Sequence, residues 1–298
     1  MKIFDNAISS ITLAALALST LGATPSASFN AGSVHVDQYG SGAPALVLIP
    51  GLTDSGSVWD TTVARYESAH TIYVLTLPGF GGTPPVAAPV FDTVDRDIVA
   101  FLPRAGKPVL IGHSLGGFLA IRLAEEHSDL IRGVIAIDGL PVFPGLDTLP
   151  ADRRAAIASA AGSRLANQSQ AQFESGEVAQ LGYMTKPSNV QTARTFSKGA
   201  NIAATAAYIQ EMMSADLRPD LSKISVPFLE IGPFDATVDP DNPFVPMKTL
   251  QEKQTYYQSL VAGDPTAKVV MVDDSRHFIM LDQPEKLFGA VDAFLTSL

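Results

Sequence analysis

The chain contains no cysteine. That excludes disulfides, thiolate nucleophiles and cysteine-held metals. Charge is sparse as well: 17% of residues are charged against 46% hydrophobic, a balance that excludes a disordered chain and leaves ample material for a core. Basic residues are outnumbered, 20 Lys and Arg against 30 Asp and Glu, for a net charge of −10. Such a field repels phosphate backbones, so no nucleic-acid partner is expected. No undiluted apolar run reaches the roughly 20 residues of a membrane span, so no stable span is expected. Metal-ligand clusters and internal repeats are missing. Gly79-Phe80-Gly81-Gly82 lacks the Lys that a phosphate-cradling loop requires, and no metal or cofactor is expected.

What is present begins with a distinct N-terminus. Lys2 precedes a mainly apolar stretch, Ala7 to Ala23, followed by small residues at Ala23, Ala27 and Ser28. This is the layout of a secretory signal peptide, expected over residues 1–28, with export to the periplasm or medium as its consequence. A membrane anchor and a cytosolic extension are the alternatives. Beyond it, short apolar runs bounded by turn formers recur at Ala45–Ile49, Ile72–Leu77, Val109–Gly112, Val134–Ile137, Phe228–Ile231 and Val269–Val272. Runs of this kind read as strands buried on both faces. Helical patterns lie between several of them. Near the C-terminus, Asp282 is expected to cap a helix with Pro284 in its first turn. The alternation implies an α/β protein with a mainly parallel central sheet and helices on both faces. From 140 to 220 no strand is apparent, and helices are expected near 152–161 and 203–213. The expected division is a core at 29–139 and 221–298, with a helical cap or lid at 140–220.

Gly112-His113-Ser114-Leu115-Gly116 matches Gly-x-Ser-x-Gly, after a buried strand and before a helix. An abrupt strand-to-helix turn lifts the Ser114 hydroxyl clear of the sheet. It also leaves the N–H of Leu115 at a positive helix end, able to donate to a developing oxyanion. A serine hydroxyl needs an imidazole to take its proton and a carboxylate to hold that imidazole. Of the five histidines, His277 follows the last expected strand, in a loop able to fold over the elbow.

These segments resemble the α/β-hydrolase superfamily over almost all of the chain after about residue 33. Gly112 to Gly117 is similar to its nucleophile elbow, and Leu48-Ile49-Pro50-Gly51-Leu52 to its third strand and oxyanion loop, with Pro50 where the family usually has His. The resemblance implies the N–H of Leu52 as second oxyanion donor. Asp273 to His277 resembles the histidine loop, with Arg276 where the family often has Gly. Pro227 to Asp235 resembles the acid loop and implies Asp235 as the acid. Asp138, ending an earlier strand, and Asp239 are the alternatives.

The expected enzyme is therefore a serine hydrolase with a Ser114-His277-Asp235 triad, acting on a small-molecule acyl substrate. A carboxylic ester is the first expectation. A peptidase or amidase, with Glu174 or Glu177 of the lid binding an amino terminus, is the second, and a non-catalytic binding protein the third. Phe80, Phe143, Met184, Met212 and Met213 are expected either to line an acyl pocket or simply to pack lid against core.

Overall fold

The computed structural model describes residues 23–298. Most of the expected signal peptide, residues 1–22, lies outside the described residues. Eight strands form one sheet: β1 (Ala27–Ala31), β2 (Val34–Tyr39), β3 (Leu46–Ile49), β4 (Ile72–Thr76), β5 (Val109–His113), β6 (Gly133–Ile137), β7 (Phe228–Phe234) and β8 (Ala267–Asp273). Their spatial order is β1-β2-β4-β3-β5-β6-β7-β8. β1 and β2 are antiparallel, and β3 to β8 run parallel. β1 was not expected; its Ala27 and Ser28, placed by sequence in the signal segment, pair with Gln38 and Asp37.

The central strands β3 to β7 are buried on both faces, and alternation divides them between two cores. β1 and β8, at the sheet edges, are half-exposed, so Val269–Val272 forms a strand but not one buried on both faces. Val47, Ile49, Leu75, Leu110, Val134 and Phe228 meet α2 (Val90–Ala105) and α3 (Leu115–His127). Leu46, Leu48, Val74, Ile111, Ile135 and Ile231 meet α1 (Asp60–Tyr66) and α10 (Pro284–Thr296). A period-two chain thus serves two helical layers at once. Asp282 does not cap α10. It ends the short α9 (Ile279–Asp282), and its carboxylate instead accepts from Thr185 Oγ1 at 2.7 Å and Asn189 Nδ2 at 2.8 Å.

Sheet order reverses at β3, which has β4 on one side and β5 on the other. Connections from the C-terminal ends of β3 and β5 leave in different directions. That opens the crevice where α/β sheets place their ligands.

Between β6 and β7 come α4 (Ala151–Ala166), α5 (Gln170–Met184), α6 (Val190–Phe196) and α7 (Ile202–Ser214). A bridge between Val142 and Asp216 pins the neck of this insertion. Its backbone meets three loops: Ser55 N donates to Phe196 O (2.9 Å), Asn201 N to Gly79 O (2.8 Å) and Phe278 N to Met184 O (2.8 Å). The insertion therefore touches the loops that follow β3, β4 and β8.

Candidate active site

Ser114 sits at the turn between β5 and α3 with φ 53° and ψ −117°. A non-glycine residue at positive φ is strained by about 1–3 kcal/mol and needs support. Support comes from both sides: Ser114 N donates to Ile137 O at 2.9 Å, and Phe118 N to Ser114 O at 3.0 Å. The turn is close because two side chains are absent. A Cβ on Gly112 would lie 2.1 Å from Gly116 O, and one on Gly116 would lie 2.0 Å from Ile49 O.

Leu115 is the first residue of α3, so its N–H has no carbonyl to meet within that helix. The Pro50–Leu52 loop runs alongside, since a Cβ on Gly51 would lie 3.4 Å from Ser114 Cβ. The oxyanion-loop candidate and the start of α3 thus both lie against Ser114.

His277 lies over the elbow. Its ring centroid is 4.5 Å from that of His113, the residue before Ser114. His113 Nε2 is 3.2 Å from the His277 carbonyl, which can only accept, so Nε2 carries the proton. Burial, then the His277 imidazole, pushes His113 below its ordinary range, and it stays neutral. Its unprotonated Nδ1 faces Asp54 Oδ2 at 3.6 Å, beyond hydrogen-bond distance.

The carboxylate against His277 is Asp138, not Asp235. Asp138 Oδ2 accepts from His277 Nδ1 at 2.5 Å, and the Tyr257 hydroxyl donates to Oδ1. Asp138 follows β6 directly, one strand from Ser114, and its N–H donates to Ile231 O at 2.9 Å. Burial alone would raise its pKa, but His277, Lys253 and the Tyr257 hydroxyl outweigh burial and hold it at about 2.

Asp235 has other partners, and this corrects the expected acid. Its Oδ2 accepts from Arg276 Nε at 2.8 Å, and its Oδ1 from Thr237 N at 2.8 Å and Thr237 Oγ1 at 2.6 Å. The Arg276 guanidinium goes on to the Gly182 and Thr185 carbonyls at the end of α5. Burial pushes Asp235 up, but the Thr237 and Arg276 donors prevail and its pKa is lowered. Asp239, the third alternative, is taken by Lys253 Nζ (2.6 Å) and by the N–H of Asp235 (2.7 Å).

The five apolar pocket candidates do not converge. Phe80 is fully buried and packs on Tyr208 of α7, with centroids 5.0 Å apart. Met212 joins that same core, while Phe143 and Met213 pack in a separate cluster with Leu146 and Ala158. Met184 packs on the opposite core, next to the histidine loop. All five therefore hold the insertion to the core or pack within it. Of the insertion's carboxylates, Glu174 accepts from its neighbour Gln170 at the surface. Burial raises Glu177 to about 7 despite nearby Ser197 and Thr53 hydroxyls, and Asp54 adds to the rise.

Sequence reasoning missed Glu230, Tyr257 and Asp54. Glu230 is completely buried on β7, and neither carboxyl oxygen has a side-chain partner. Burial, then Asp138, pushes it well above the usual carboxyl range. Its signal is a lone acid inside the apolar run Phe228–Ile231. Tyr257, on α8 (Leu250–Val261), has no comparable mark.

A family model described as the alpha/beta hydrolase family matches residues 46–290. The chain belongs to this family. It is a hydrolase. Relatives include a pimeloyl-[acyl-carrier protein] methyl ester esterase of Aeromonas hydrophila subsp. hydrophila, 25% identical and covering 88% of this chain and 99% of the relative. A second esterase of that description, from Vibrio atlanticus, is 28% identical over 68% of this chain and 80% of its own. Among solved structures, a thermophilic esterase from Thermogutta terrifontis superposes on this hydrolase with a TM-score of 0.71 at 19% identity, covering 89% of this chain and 93% of that one. An enol-lactonase from Burkholderia xenovorans LB400 does so at 0.68 and 19%, covering 88% and 96%. Among the described residues, no helix is long and apolar enough to cross a membrane.

Proposed function

We propose that this hydrolase cleaves carboxylic esters through a Ser114-His277-Asp138 triad and an acyl-enzyme. The observation that carries the reading is the 2.5 Å approach of Asp138 Oδ2 to His277 Nδ1, one strand from a strained serine. A carboxylate on Nδ1–H fixes the tautomer whose Nε2 lone pair is free to take the Ser114 proton. The alkoxide attacks the ester carbonyl, and the N–H groups of Leu115 and Leu52 stabilise the oxyanion. His277 returns the proton to the leaving alcohol. Water then attacks the acyl-enzyme by the same base. Methyl ester esterases among the relatives favour an ester over a thioester or amide. The test is a panel of methyl and p-nitrophenyl esters, a thioester and aminoacyl-arylamides, with Ser114→Ala alongside. Ester turnover should fall by about 10⁶-fold in the variant. Near-full ester turnover by Ser114→Ala would falsify the assignment.

One observation favours a second reading. Glu177 is half-buried among Thr53, Asp54 and Ser197, on the side of the loop that follows β3. A carboxyl there suits a substrate ammonium, as in an aminopeptidase or amidase. Turnover of aminoacyl-arylamides but not simple esters, abolished by Glu177→Gln, selects it.

Export is also proposed. Because Ala27 and Ser28 belong to β1, cleavage near Ala23 would preserve the edge strand. N-terminal sequencing of the mature protein decides it, and an intact Met1 on cytosolic protein would overturn export.

A further inference from the structure

Asp138 has two oxygens and two partners. Oδ2 faces His277, and Oδ1 receives the hydroxyl of Tyr257. We propose that Tyr257 is a positioning residue of this site: its hydroxyl fixes the Asp138 carboxylate in one orientation and draws charge away from the oxygen facing His277. The proposal rests on the triad reading above.

Three features make the contact a built one. First, Tyr257 is buried, only 4% exposed, among Leu140, Val142 and Leu260, so the hydroxyl is not a surface group that happens to reach inward. Second, its ring fills a slot left by glycine: a Cβ on Gly232 of β7 would lie 2.7 Å from Tyr257 Cε1. Any side chain there would push the ring off its line to Asp138. Third, the surroundings offer Oδ1 little else. The groups facing Asp138 are His113 from β5, His277 from the loop after β8, Glu230 from β7, and Lys253 and Tyr257 from α8. His277 already holds Oδ2. Lys253 Nζ is bound to Asp239 at 2.6 Å, and Asp239 is also among the charges facing Tyr257. Glu230 is a buried acid without a side-chain partner.

A carboxylate with one oxygen undonated in such a place can rotate about its Cβ–Cγ bond, and its negative charge concentrates on both oxygens. Rotation misaligns the His277 tautomer and lowers turnover. Concentrated charge stabilises the imidazolium and moves the onset of activity to higher pH, because more hydroxide is needed to free the base.

The test is Tyr257→Phe, which keeps the ring and removes the hydroxyl. Expected for ester hydrolysis are a roughly tenfold fall in kcat with KM nearly unchanged, and an acid limb of the pH–kcat/KM profile raised by about half to one pH unit. In an Asp138→Asn background the same change should cost less than about twofold, since Tyr257 acts through the carboxylate. Replacing Tyr257 with 3-fluorotyrosine keeps shape and strengthens the donor, so the acid limb should move to lower pH; this arm stands if the Phe variant does not fold. An unmoved acid limb in both variants, or a Tyr257→Phe loss undiminished in the Asp138→Asn background, overturns the proposal while leaving the triad intact. Full activity of Asp138→Asn alone overturns the triad reading and takes this one with it.

Discussion

Replacing Asp138 and Asp235 separately by Asn discriminates the two candidate acids, because the structure assigns them opposite environments. Asp138 ordinarily titrates near 3.8 and here is held at about 2, chiefly by His277 acting against burial. At 1.36 kcal/mol per pH unit, that is on the order of 2 kcal/mol in favour of the charged form. Asn carries no charge and can present an amide N–H to His277 Nδ1. That stabilises the tautomer with its proton on Nε2, which cannot take a proton from Ser114. The loss of a correctly held tautomer is on the order of 10³–10⁴-fold in kcat. Asp235→Asn meets a different situation. Its partner is Arg276, and their side chains are 7% and 11% exposed. The amide keeps one acceptor for Thr237 but leaves the guanidinium poorly compensated, at a cost of about 1–3 kcal/mol in stability. Its kcat should stay within about tenfold of wild type. The assay is kcat and KM on a p-nitrophenyl ester, with urea unfolding of each variant. A crippled Asp235→Asn beside an active Asp138→Asn would refute the reasoning.

Glu230 predicts a pH dependence of stability. Its folded pKa is raised, so the folded state binds more protons than the unfolded one above the ordinary value of 4.5. Stability from the neutral form is full below 4.5 and is lost as pH climbs toward the raised folded value. Glu230→Gln should flatten that decline and unfold at higher urea than wild type at pH 8; identical slopes from pH 5 to pH 8 would count against it. Gly116→Ala places a methyl 2.0 Å from Ile49 O, a backbone atom that cannot step aside. It should yield little soluble protein, or an enzyme destabilised by more than about 2 kcal/mol, as read by thermal melting. Arg276→Met should lower stability by about 3–5 kcal/mol, because it leaves Asp235 charged and buried. A melting temperature equal to wild type would refute a stabilising role for the Arg276–Asp235 pair.

Much of this was legible in the chain. Buried parallel strands announce themselves as apolar runs, and every run named from sequence became a strand. Ser114 was legible because the elbow is a local device: strand, glycines and helix are contiguous in sequence. His277 needed only its place after the last strand. β1 was not legible, since Ala27–Ala31 is half-exposed, is small or polar apart from Phe29, and follows an apolar stretch with a different explanation. For the five apolar pocket candidates, sequence left pocket lining and lid–core packing open, and the contacts seen are packing. Apolar side chains in an insertion pack wherever the tertiary structure brings surface to cover, and sequence distance carries no record of which core that is.

Asp235 does not meet His277 because residues in two distant loops are coupled. Asp235 stands at the end of β7, where a carboxylate for His277 is expected. Arg276 stands beside the histidine, where a small residue is common. Each departure or agreement, taken singly, is compatible with Asp235 as acid. Together they are not: a guanidinium placed next to His277 is the stronger partner for a carboxylate approaching from β7, since it offers a charged, forked donor where the imidazole offers a single N–H. Once Asp235 is drawn to Arg276 at 2.8 Å, His277 Nδ1 must find its carboxylate elsewhere. The neighbouring strand end supplies Asp138, itself at a positive φ of 50°, with Oδ2 on His277 Nδ1. The same guanidinium reaches the Gly182 and Thr185 carbonyls, so the residue that engages Asp235 also ties the histidine loop to the helical insertion.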